Sequence, residues 1–95
     1  MTPETAEKKA IRDYLRLKGA FVFHNLAGLG VYPGLADLTA IYKGKVYQIE
    51  VKAAGVKHKQ SANQKQFQED WEAQGGIYIL GGIDEVMKKI VWQKK

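Results

Sequence analysis

Apolar side chains recur at helical spacing along the first eighteen residues. Ala10, Ile11, Tyr14 and Leu15 form one stripe, with Lys8, Lys9, Arg12, Asp13 and Arg16 around the rest. Thr2 is placed to cap this helix, Pro3 suits its first position, Glu4 suits the positive end of its dipole, and Gly19 suits its stop. Glu7 interrupts the apolar stripe, either reaching past the core edge to the helix N-terminus or serving a site. The period then changes. Ala20 to Asn25 reads as a strand, Ala27 to Gly34 as a glycine-rich loop, and Asp37 to Tyr42 as a second strand. Lys43-Gly44-Lys45 turns into a third strand, Val46 to Lys52, in which Tyr47, Ile49 and Val51 face one way and Gln48, Glu50 and Lys52 the other.

A second helix is expected from about Ala62 to Gln74, with Phe67 and Trp71 turned inward and Gly75-Gly76 as the stop. Ile77 to Leu80 is an apolar strand, Asp84 is placed to cap a short helix to about Lys89, and Ile90-Val91-Trp92 reads as a last strand or tail. The order α-β-β-β-α-β-α predicts one α/β domain over residues 1–95, a mixed sheet flanked by helices.

A chain of 95 residues buries only about two thirds of the surface its unfolded form exposes, so a homodimer is an attractive way to add core. With no cysteine, disulfides and thiolate metal sites are excluded. Neither a leader nor a membrane span is evident, and a soluble, intracellular protein is expected. The formal charge of +5 suits a polyanionic partner. Two basic groups carry much of it, Lys57-His58-Lys59 after the third strand and Lys88, Lys89, Lys94 and Lys95 near the C-terminus. The first either grips a nucleic-acid backbone or solvates a loop.

Polar residues at special places narrow the chemistry. If Ile41 pairs near Tyr47, Asp37 lies near Val51, within about a residue of Glu50 and Lys52. An isolated Glu-x-Lys is most simply a solvated strand face. Two acids and a lysine meeting at one end of a hairpin are harder to explain so, because adjacent carboxylates repel unless a cation or a proton lies between them. Carboxylates suit Mg²⁺ or Mn²⁺, and such an ion beside an ammonium suits phosphodiester hydrolysis. His24 lacks a second His or Cys at ligand spacing, and the glycine loop has neither dinucleotide nor P-loop spacing. Ser61 and Gln64 have the form of a capping box, yet Gln64 also projects on the side of Phe67 and Trp71, which leaves both a cap and a site role open.

Gly34-Leu35-Ala36-Asp37, then Ile49-Glu50-Val51-Lys52, then Ser61 with Gln64, behind a helix bearing Glu7, resembles the PD-(D/E)xK nuclease superfamily and within it the VRR-NUC family. The resemblance spans nearly the whole chain and implies a restriction-endonuclease-like αβββαβ core. It also implies a DNA endonuclease dependent on Mg²⁺ or Mn²⁺, selective for branched, flapped or four-way-junction DNA and acting as a homodimer. On this basis Asp37 and Glu50 are metal ligands with the Val51 carbonyl, Lys52 is the catalytic lysine, and Gln64 is the family glutamine. The helix acid falls on Glu7, with Glu4 one turn earlier as the alternative. Ala36 stands where the family usually has proline. Two other readings are a non-catalytic nucleic-acid-binding module on the same fold and a small structural protein. The acidic pair argues against the first, and the basic surplus is poorly explained by the second.

Overall fold

The computed structural model describes residues 2–53 and 59–93. Its elements run α1 (Pro3–Leu17), β1 (Phe21–His24), β2 (Leu38–Tyr42), β3 (Lys45–Val51), α2 (Ala62–Ala73), β4 (Ile77–Gly81) and α3 (Ile83–Lys89). The four strands lie in sequence order, antiparallel from β1 to β3 and parallel between β3 and β4. This is the predicted mixed α/β sheet, with β3 inside it and α2 as the crossover to its parallel neighbour.

Local chemistry explains most of the element ends. The Thr2 hydroxyl accepts from the Thr5 amide at the start of α1. At its other end Gly19 has a positive φ, and the Ala20 amide reaches the Leu15 carbonyl, closing the helix in a Schellman arrangement. Lys43 and Gly44 both have positive φ, giving the two-residue turn whose twist matches the flanking strands. Lys45 therefore belongs to β3 and pairs with Tyr42. The pairing is one residue away from the three-residue-turn expectation, with Ile41 opposite Val46 and Leu38 opposite Ile49.

Both sheet faces are covered around β3. Ile11 and Leu15 of α1 and Val86 of α3 pack against Val22, Leu38, Ala40, Tyr47, Ile49, Val51 and Ile79. On the opposite face α2 brings Phe67 and Trp71 against Ala36, Tyr78 and Leu80. Ala10, expected inward, is exposed because the docked stripe is centred on Ile11 and Leu15. Gly82, not Asp84, is the N-cap of α3. Residues after α3 form no strand among those described. Trp92 instead lies edge-on to Tyr14 and Tyr42 and donates its indole N–H to the Tyr14 hydroxyl at 3.0 Å.

Candidate active site

The face of β3 that carries Gln48 and Glu50 is buried, with these residues only 4% and 5% exposed. Strand alternation places both on the α2 side of the sheet, and β4 beside them removes solvent. The solvated-face explanation of Glu-x-Lys therefore fails here. A buried carboxylate is costly unless it is paired, protonated or bound to a cation, and so Glu50 marks chemistry that packing alone does not supply.

Asp37 arrives just before β2. Its amide donates to the Ile49 carbonyl at 3.0 Å, and its Oδ2 accepts from the Val51 amide at 2.8 Å. The hairpin thus fixes the carboxylate against the end of β3, next to Glu50. Burial first, and then the Asp37 charge, push the Glu50 carboxyl up to about 7, with Lys52 opposing them. The Lys52 ammonium is 3.7 Å from Glu50 Oε2. Asp37, Glu50 and Lys52 consequently converge, with the Val51 backbone between them. The Tyr78 hydroxyl lies buried on the same side of the sheet, without a hydrogen-bond partner among the described residues. Burial pushes its phenol up to about 12, the neighbouring Gln60 pulls the other way, and the charges of Glu50 and Asp37 add to the rise.

The two candidate helix acids go to different places. Glu7 Oε2 accepts the Ile83 amide at 2.8 Å, capping α3 from another helix, and a side chain at Gly82 would collide with it. Glu4 contributes to the field that raises Glu50, and it lines an open cleft with Thr2, Lys8 and Ala53. Gln64 makes the capping box in full, donating its amide N–H to Ser61 Oγ and accepting the Ser61 N–H through Oε1. Of the basic group, Lys57 and His58 lie outside the described residues, and Lys59 is exposed.

Several residues at this site escaped sequence reasoning. Lys8 Nζ is 3.1 Å from Asp37 Oδ1. Asn25 donates to the Ala36 carbonyl and to Gln48 Oε1, both at 2.9 Å, while its Oδ1 accepts from Thr39 at 2.6 Å. Gln48 Nε2 closes the ring by donating to Thr39 Oγ1 at 2.7 Å. Asn25 and Gln48 thereby fasten the approach to Asp37. The only signal in the sequence was that Gln48 shares a face with Glu50.

A solved structure described as a "VRR_NUC domain" superposes with a TM-score of 0.79, covering 96% of this chain and 100% of that one at 22% sequence identity. The chain has the VRR_NUC fold. No family model matches the sequence, and no curated protein matches it. In this chain Asp37, Glu50 and Lys52, which follows β3 directly, meet at one end of the sheet. A further hollow, between the Gly44–Val46 turn and the C-terminal end of α2, lies at the opposite end of β3 from the acids. Among the described residues no helix is long and apolar enough to cross a membrane.

Among the described residues no group of three or more His, Cys, Asp and Glu stands ready to hold a metal. The donor set still fits a hard divalent ion, because Mg²⁺ commonly takes one or two carboxylates and completes its shell with water and phosphate. Asp37 and Glu50 supply that pair, with the Val51 carbonyl nearby as the expected backbone ligand. Burial first, and the neighbouring acid second, raise the Glu50 pKa, and a bound cation would offset both by favouring the charged carboxylate.

Proposed function

We propose that this protein is a VRR-NUC nuclease of the PD-(D/E)xK superfamily, hydrolysing phosphodiester bonds in DNA with Mg²⁺ or Mn²⁺. The observation that carries the reading is the burial of Glu50 beside Asp37 with the Lys52 ammonium within 3.7 Å. A pure nucleic-acid binder gains nothing from two carboxylates placed where phosphates approach. The ion would be held by Asp37, Glu50 and the Val51 carbonyl, and when bound would supply Lewis acidity to the scissile phosphate and make water a competent nucleophile near neutral pH.

Lys52 acts from the same face as Glu50. Its ammonium hydrogen-bonds the attacking water or a non-bridging oxygen and offsets charge as water adds to phosphorus and the bond to the 3′-oxygen breaks. Asp37 is held by the Val51 amide, and that preorganisation keeps one oxygen turned toward the backbone of β3. Glu4, not Glu7, is assigned the helix-acid role, since Glu4 shares the electrostatic field of Glu50 while Glu7 caps α3. Gln64 acts through its cap, which sets the start of α2. Lys57, His58 and Lys59 contact the DNA backbone.

The remaining features are proposed on the same footing. Selectivity for branched, flapped or four-way-junction DNA follows the resemblance, as does a homodimer. Phe21, Phe23 and Ile41 support the dimer, because these apolar side chains stand exposed on β1 and β2 beyond the cover of α2. A soluble, intracellular setting accords with DNA as substrate.

The test is incubation with linear duplex, single-stranded, flapped and four-way-junction DNA in Mg²⁺, Mn²⁺ or chelator. Cleavage is expected with metal only and is lost in Asp37→Asn, Glu50→Gln and Lys52→Ala while DNA binding persists. Cleavage retained in all three variants, or undiminished by chelator, would overturn the assignment.

A further inference from the structure

Lys8 has no role in the reaction as described, yet its ammonium lies 3.1 Å from Asp37 Oδ1. The other oxygen of that carboxylate is already held by the Val51 amide. Oδ1 is therefore the oxygen left to meet a cation from the open side, and Lys8 stands on it.

Three observations separate Lys8 from an ordinary surface pair. Its partner is a residue of the acid pair, whereas the neighbouring Lys9 reaches only the exposed Asp13, at 4.0 Å. Docking of α1 does not depend on it, because Ile11 and Leu15 are fully buried and already fix the helix. Its side chain keeps 30% of its exposure and lines the cleft shared with Glu4 and Ala53, so the long stem has room to swing aside.

We infer that Lys8 is a built-in competitor for the metal site, its ammonium and the divalent ion contending for the Asp37 carboxylate. The inference rests on the metal-dependent reading above. A divalent ion held by Asp37 and Glu50 would repel an ammonium at the same carboxylate, so Lys8 would give way into the cleft as the site fills. The two acids Asp37 and Glu50 lie side by side, with Lys8 on the first and Lys52 beside the second. Lys8 thereby holds Asp37 in position before loading and raises the metal concentration at which the site fills.

The experiment is calorimetric titration of Mn²⁺ into the whole protein without DNA, comparing wild type with Lys8→Met, Lys8→Gln, Lys8→Arg and Lys9→Met. Lys8→Met and Lys8→Gln are expected to bind the ion about three- to ten-fold more tightly, Lys8→Arg close to wild type, and Lys9→Met within about two-fold of it. The two neutral Lys8 variants should also gain more in melting temperature from added Mn²⁺ than wild type does. A merely structural pair predicts the opposite sign, since a loosened Asp37 binds more weakly. Unchanged or weaker binding in both neutral Lys8 variants, with wild type binding normally, overturns the inference and leaves the nuclease reading standing. Wild type that binds neither Mn²⁺ nor Mg²⁺ overturns both. If Lys8→Met does not fold, Lys8→Gln, which keeps a polar tip of similar reach, decides.

Discussion

The Glu7 carboxylate accepts a hydrogen bond from the backbone amide of Ile83 at 2.8 Å, joining the first helix to the last across seventy-six positions of sequence. Gly82 caps α3 without a side chain, and Glu7 supplies the missing acceptor from outside. Glu7→Ala is expected to cost roughly 1–3 kcal/mol of stability, the range for a lost cap and an unsatisfied amide. Cleavage per folded molecule should survive it. Glu4→Gln should do the reverse, leaving denaturation nearly unchanged while lowering cleavage at limiting metal. Urea titration beside a cleavage assay distinguishes the two acids.

Glu50 gives a pH dependence with a definite sign. Its folded-state pKa of about 7 lies above the ordinary carboxylate value of 4.5, so between these pH values the folded state holds a proton that the unfolded state has lost. In chelator, the stability due to Glu50 is full below about pH 4.5, falls as pH rises to about 7, and is then flat. Glu50→Gln removes that loss. At pH 8 in chelator the variant should exceed wild type by roughly 2 kcal/mol, and the gap should close at pH 4. Thermal melts at both pH values check this, and a gap that widens on acidification would contradict it.

Gly34 combines a φ of +81° with a closeness to α2 in which a Cβ would overlap the Asn63 carbonyl and the Gln64 amide. The obstacle is backbone, which cannot move aside as a flexible side chain would. Gly34→Ala should destabilise by about 2–5 kcal/mol, adding strain at a left-handed position to overpacking. The damage should extend to the start of α2, visible as faster amide exchange at Gln64 and Lys65.

Asn25 ties the Ala36 carbonyl to Gln48 and accepts from Thr39. Asn25→Ala leaves part of that ring unpaired and should cost roughly 2–3 kcal/mol. Because the same ring fixes the residue before Asp37, metal affinity should fall as well. Ala36→Pro in the Asn25→Ala background should recover some of that affinity if rigidity of this turn is what matters, and calorimetry with Mn²⁺ gives the answer.

The sequence made the hairpin, the two-sided character of β3 and the meeting of Asp37, Glu50 and Lys52 legible. These follow from strand alternation and turn chemistry, which act over a few residues. A register one residue off did not spoil the convergence, because Asp37 reaches across by its side chain to the Val51 amide. Interactions between distant segments stayed hidden. Glu7 looked like a site acid because its partner, the amide of Ile83, is a backbone group that no sequence pattern marks. Asp84 looked like a cap for the same reason in reverse. Lys8 was indistinguishable from the other lysines of α1, since only the docking of that helix on the sheet shows which of them reaches Asp37.

Trp92 lies against Tyr14 and Tyr42 near the C-terminal end of α1, with Glu4 in the first turn and Lys8 between. A helix is stiff, and a shift where the indole grips its last turns is passed along the axis to Lys8 beside Asp37. The aromatic clasp thus sets the aim of residues it never touches, and loosening it should blur the chemistry before it melts the fold.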